Sequence, residues 1–139
     1  MMFFGDETVS EWVRKRAPEP IESYGEHISV GIADAEGKLI AGVVYNNYSQ
    51  GNIELSIASI SPLWATKHRI ESILGYPFKQ LGCRRLTAVT ARDNHRIRDF
   101  LKRLGFMHEG TLHDALERGD AVIYGMTKRY FLRSKWNNG

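Results

Sequence analysis

NIELSIASISPLWATKHRIESILGYPFKQLGCRRLTAVTAR, residues 52 to 92, holds the pattern from which the fold follows. In NIELSIASI the residues alternate. Ile53, Leu55 and Ile57 point one way while Glu54, Ser56 and Ala58 point the other, as in a strand with two unlike faces. From Lys67 to Leu81 the period changes: Ile70, Ile73, Leu74, Phe78 and Leu81 recur at helical spacing, with Gly75 and Pro77 expected to kink or loosen the middle. RRLTAVTARD then returns to strand character. A strand, helix, strand unit of this kind needs a right-handed crossover. It leaves a helix N-terminus just beyond a strand end, where backbone N–H groups and the helix dipole favour an anion. SPLWATKHRI (61–70) lies at that spot and contains no glycine.

Working outward, Thr8 is expected to cap a short helix through Arg16, and the two prolines of RAPEPIESYGE (16–26) then interrupt any helix. HISVGIAD and KLIAGVVYNNY read as strands joined at AEG, where Gly37 supplies the hairpin turn. On the other side, DNHRIRDFLKRLGF is the clearest helix. Asp93 or Asn94 stands at its N-cap, Ile97, Phe100, Leu101 and Leu104 share one face, and Gly105 stops it. FMHEGTLHDAL and AVIYGMTKRYF follow as strands about an ERGD turn, and SKWNNG is expected to fray. The order is helix, hairpin, strand, helix, strand, helix, hairpin. It predicts one α+β domain over residues 1–139, with a frayed tail from about 134.

A chain of 139 residues, 42% of them hydrophobic, suffices for a single core. The lone Cys83 forms no internal disulfide and has no partner at metal-binding spacing, which suits a reducing compartment. No window reaches the roughly 18 apolar residues of a membrane span, and MMFFGDETVSEW turns acidic too early for a signal peptide. A soluble, cytoplasmic protein is expected. The net charge of +3 hides a polarity: residues 1–60 carry four basic and nine acidic groups, and the remainder carries fifteen basic and seven acidic. The second half therefore suits an anionic partner, a phosphorylated cofactor or a nucleic acid, unless its cations only solvate helix faces. Nucleic acid is the weaker reading, because no aromatic and basic interleaving is evident. No two of the five histidines stand three or four residues apart, so no metal site is expected.

The stretch N-x-x-I-x-x-F-L-K-R-L-G-F-x-x-E-G (94–110), followed by RGDAVIYGM (118–126), resembles the GNAT acetyltransferase superfamily. The likeness runs from about Thr8 to Phe131. It is similar to the ribosomal-protein N-terminal and spermidine acetyltransferase branch, and to small phage-encoded GNAT-like proteins. The resemblance implies a GNAT-like acyl-CoA N-acyltransferase fold, with one central, mostly antiparallel twisted sheet flanked by helices. It further implies transfer of an acetyl group from acetyl-CoA to a primary amine of a protein or small polyamine-like acceptor, without a metal. Many members form dimers, so a homodimer is among the expectations.

Residue by residue, Glu54 matches the strand position where many GNAT enzymes hold a catalytic glutamate; the plainer reading is a solvated or salt-bridged side chain. The backbone of Ala58, Ser59 and Ile60 would hold pantetheine and polarise the thioester carbonyl. Ser61, Trp64 and Thr66 fall where the family's phosphate loop reads R/Q-x-x-G-x-G/A, and all three depart from it. Trp64 puts an indole where a glycine permits close approach. Amides of Ala65, Thr66, Lys67, His68 and Arg69, with the three basic side chains, remain candidates for CoA. Asn94 matches the family asparagine that contacts CoA, and it is equally a good N-cap. The tyrosine acid expected seven residues later is Leu101, and Ile97 stands where the branch tends to carry serine. Tyr124 or Tyr45 would then serve as acid, unless both are sheet aromatics. These departures keep a second reading open, a non-catalytic GNAT-like phage or host interaction protein with a degenerate CoA loop.

Overall fold

The computed structural model describes residues 1–17 and 23–138. Its elements are β1 (Met2–Phe4), α1 (Glu7–Arg14), β2 (His27–Ala33), β3 (Leu39–Ser49), β4 (Asn52–Ser59), α2 (Lys67–Gly75), β5 (Arg85–Ala91), α3 (His95–Leu104), β6 (Met107–Leu116), β7 (Gly119–Thr127) and α4 (Lys128–Arg133). The strands form one sheet in the order β1-β2-β3-β4-β5-β7-β6. All neighbours are antiparallel except β4 and β5, the pair joined by the predicted crossover.

Strand alternation sorts the side chains onto two faces. On β3, Ala41, Val43 and Tyr45 enter the main core, where they meet Ile70, Ile73 and Leu74 of α2, Leu101 and Leu104 of α3, and Phe131 of α4. Val44 points the other way, to a smaller core with Val13, Tyr24 and Ala58. Helix α1 lies close on that second face because residue 42 is glycine. A Cβ there would sit 2.6 Å from Val13 Cγ2. Helix α3 ends as expected: Gly105 takes φ 107°, and the Phe106 N–H reaches the Leu101 carbonyl at 3.0 Å, a Schellman closure.

The kink expected at Gly75 and Pro77 is a π-helical turn over Tyr76–Gln80. Pro77 has no N–H to offer the Ile73 carbonyl four residues earlier. The Tyr45 hydroxyl donates to that carbonyl instead, at 2.6 Å, from a side chain that is 1% exposed. Burial pushes the Tyr45 phenol far above its ordinary pKa, so it remains a donor at any working pH. Tyr45→Phe is expected to leave the carbonyl unsatisfied and to lower unfolding free energy by about 1–3 kcal/mol, read from the urea midpoint at unchanged m-value.

Four local readings need correction. Helix α1 is capped by Asp6, whose carboxylate accepts the Thr8 N–H at 2.9 Å, and it ends at Arg14; the stronger cap lies two residues before the expected one. Strand β7 stops at Thr127. That hydroxyl accepts the Tyr130 N–H at 3.1 Å, so KRYF opens α4 rather than extending a strand. The segment expected to fray is tethered through its described residues: the Trp136 indole N–H donates to the Leu104 carbonyl at 2.7 Å, and Ser134 Oγ to Phe131 O at 2.7 Å. Finally, β1 had no periodic signal in three residues, yet it pairs with β2 from Met2↔Ile32 to Phe4↔Val30. Pro18 and Pro20 of the expected linker lie outside the described residues. No helix among the described residues is long and apolar enough to cross a membrane.

Candidate active site

Strands β4 and β5 are paired for only three residues, Asn52↔Arg85, Ile53↔Leu86 and Glu54↔Thr87. Beyond that point they part. β4 stays with β3 through Ser59, and β5 stays with β7 through Ala91, so the sheet opens as a V with Glu54 at its vertex. The gap is a cavity of about 410 Å³, walled by β4 from Leu55 to Ile60, β5 from Ala88, the start of α3, and Tyr24. One edge of β4 is unpaired there. The Ile60 N–H goes to Ile40 O at 2.9 Å, on the β3 side. By the two-residue alternation, the backbone groups of Ile57 and Ser59 face the opening.

Solved structures with this architecture include a spermidine N-acetyltransferase from Vibrio cholerae in complex with CoA and spermine. It is 18% identical with TM-score 0.72, over 95% of this chain and 97% of that one. A chimera of the Vibrio cholerae spermidine N-acetyltransferase SpeG with hSSAT superposes at TM-score 0.74 and 16% identity, over 95% of this chain and 99% of the other. A probable acetyltransferase matches at TM-score 0.65 and 23% identity, over 76% of this chain and 63% of its own. The chain has the GNAT acetyltransferase fold. No protein-family model matches the sequence, and neither does any curated protein.

Set in the GNAT fold, the candidate residues separate into groups. Glu54 is half-buried on the α1 side of β4 and accepts a hydrogen bond from Asn47 Nδ2. Asn47 can reach it because β3 is irregular between Asn46 and Ser49, where Asn47 takes φ 54°. A bulge re-aims the side chain. Ser56, two residues on and on the same face, lines the cavity, so the carboxylate stands one strand repeat from its wall. Ala58, Ser59 and Ile60 all line it, but Ser59 presents its backbone to the gap whereas Ile60 gives its N–H to β3. Asn94 is the N-cap of α3, its Oδ1 accepting the Ile97 N–H at 3.3 Å, and it also lines the cavity. The cap uses the oxygen alone.

Tyr124 does not reach this cavity. It is fully buried, packs edge-on against His108 at 5.5 Å, and its hydroxyl accepts from Arg98 Nε at 3.0 Å. Tyr45 is equally enclosed, its hydroxyl committed to Ile73. The tyrosine at the cleft is Tyr24, which the sequence reading passed over. Its phenol lies beside Ser56, and burial raises its pKa above the ordinary value against the lowering effects of Ser56 and Arg14. Its only sequence signal was an aromatic residue closing a proline-rich stretch.

The loop is a 3₁₀ turn over Pro62–Trp64 that satisfies most of its own amides. Pro62 has none, the Leu63 N–H goes to Ser61 Oγ at 3.2 Å, and that of Ala65 to Pro62 O at 3.2 Å. The Thr66 N–H goes to Trp64 O at 3.0 Å and that of Arg69 to Thr66 Oγ1 at 3.3 Å. Lys67 pairs with Glu71 at 3.3 Å, and the Arg69 guanidinium donates to Trp64 O at 3.2 Å. None of Lys67, His68 and Arg69 is among the residues that line the cavity. Trp64 is 3% exposed, tilted against Phe100 with ring centres 5.6 Å apart. Its indole belongs to the main core. Cys83 is buried too, and burial pushes its thiol up, away from a nucleophile's range. No group of three His, Cys, Asp or Glu able to hold a metal occurs among the described residues.

Proposed function

We propose that the protein is an acetyl-CoA-dependent N-acetyltransferase acting on a primary amine of a polyamine-like acceptor. The observation that carries this reading is the V between β4 and β5, with an unpaired strand edge on β4 and the Tyr24 phenol beside it at the cavity. In the proposed reaction the acceptor enters as an ammonium ion. Glu54, directly or through water, removes a proton; the free amine attacks the thioester carbonyl; and the carbonyl oxygen takes up charge beside the open β4 edge. The C–N bond forms, the C–S bond breaks, and Tyr24 protonates the departing thiolate. The second ammonium proton leaves the new amide nitrogen to water, from which Tyr24 regains its own. Its raised pKa keeps that proton in place until a strong base appears. Much of the gain comes from holding amine and thioester together in one cleft.

The test is release of free thiol from acetyl-CoA in the presence of spermidine, with Tyr24→Phe beside the unmodified protein. Expected is amine-dependent thiol release, lowered by about 10²-fold in kcat in the variant with KM little changed. Absence of amine-dependent release by the unmodified protein sinks the reading. One observation favours the alternative, a non-catalytic phage or host interaction protein: the loop amides that would cradle a pyrophosphate are mostly satisfied within the loop itself. Under that reading acetyl-CoA gives no heat on titration.

A further inference from the structure

A separate cavity of about 380 Å³ lies at the β1 edge of the sheet, between that strand and α2 with the π-helical turn after it, and it shares no lining residue with the cleft. Three rings line it. Tyr76 stands between Phe4, at 5.6 Å and 64°, and Tyr45, at 5.4 Å and 49°. Glu71 enters from α2. Its side chain is 10% exposed, yet its one charge partner among the described residues is Lys67, which is 65% exposed and reaches Oε2 at 3.3 Å. Oε1 accepts no hydrogen bond among the described residues. The other cation at this cavity, Lys79, makes no ion pair with Glu71; its ammonium lies 5.8 Å from the ring centre of Phe131, a residue outside the lining. Met1 and Gly5 bond to Ala33 and Ser29 of β2, so by alternation the N–H and C=O groups of Met2 and Phe4 turn away from β2, to the open edge.

A carboxylate so far removed from water needs a close counter-charge, and an exposed lysine at the limit of hydrogen-bonding distance is a weak one. Aromatic faces attract charge of the same sign. We propose that this cavity binds an organic amine in its ammonium form, with one positive charge and an apolar body about the size of an aromatic ring. The ammonium takes Glu71 Oε1, and the open-edge carbonyls of Met2 and Phe4 offer acceptors to its remaining N–H groups. The body lies against Phe4 and Tyr76. Lys67 is the competitor for the carboxylate. This site is independent of the transferase reading, since it needs neither acetyl-CoA nor Glu54.

The experiment is calorimetric titration with phenethylammonium chloride in the absence of acetyl-CoA, on the unmodified protein and on Glu71→Gln, Lys67→Ala and Glu54→Gln, with phenethyl alcohol as the same body without the charge. Circular dichroism confirms folding. Expected is binding of phenethylammonium, weakened about tenfold or more in Glu71→Gln and tightened about two- to fivefold in Lys67→Ala, where the competing cation is gone. Phenethyl alcohol is expected to bind at least about tenfold more weakly than the amine. Glu54→Gln is expected to bind the amine as the unmodified protein does; a loss there puts the probe in the cleft and overturns the proposal. So do no binding by the unmodified protein, binding indifferent to Glu71→Gln, or equal binding of the alcohol. Should Glu71→Gln fail to fold, Lys67→Ala decides alone, because a lysine with only a structural role gives no tightening when removed. Acetyl transfer by the unmodified protein is measured separately and bears on the transferase reading only.

Discussion

Glu54→Gln is expected to lower amine acetylation by about 10²–10⁴-fold while leaving affinity for CoA and the melting temperature unchanged. The separation of effects follows from where the side chain stands. Glu54 lies at the vertex of the V, outside the cavity wall that would contact the donor, so a carboxamide there removes the base without removing a donor contact. The carboxamide oxygen can still accept from Asn47, which keeps the bulge in place. Initial rates with spermidine, calorimetry with CoA and a thermal melt check the three parts. Full activity in the variant eliminates Glu54 as base and leaves a water-mediated or substrate-assisted route.

Trp64→Gly is the substitution the sequence suggests for reopening a blocked phosphate loop, and the structure predicts a different result. The indole is 3% exposed and packs on Phe100 within the main core. Its removal leaves a cavity, and glycine adds freedom to the unfolded chain. A loss of about 3–5 kcal/mol is expected, seen as a fall in melting temperature of about 10–20 °C, with no gain in acetyl-CoA affinity at equal folded fraction. A variant that melts as the original does and binds acetyl-CoA more tightly would show instead that the indole closes the cleft.

The contrast between these residues shows what the sequence made legible. The alternation of Ile53 to Ala58, the helical period of α3 and its caps at Asn94 and Gly105 are local, and the structure keeps them. Placement of Glu54 on the face opposite Ile53 and Leu55 was legible for the same reason. What escaped was set by distant pairing. Tyr24 reaches Ser56 across 32 residues of chain, and Trp136 reaches Leu104 across the same span, and neither segment has a period to announce it. The internal satisfaction of the loop is an intermediate case. Ser61, Pro62 and Thr66 are turn and cap formers by residue type, yet a search for a missing glycine draws attention to Trp64 and away from them.

The three-residue seam between β4 and β5 also divides the charge of the molecule. β1 to β4 come from the acidic first sixty residues, whereas β5 to β7 come from the basic remainder. The net charge of the chain therefore changes sign at the seam, although β1 to β4 themselves contain a single carboxylate, Glu54. On the proposed transferase reading, an anionic donor would be drawn to the part of the chain after the seam and a cationic acceptor to the part before it, so that neither excludes the other at encounter.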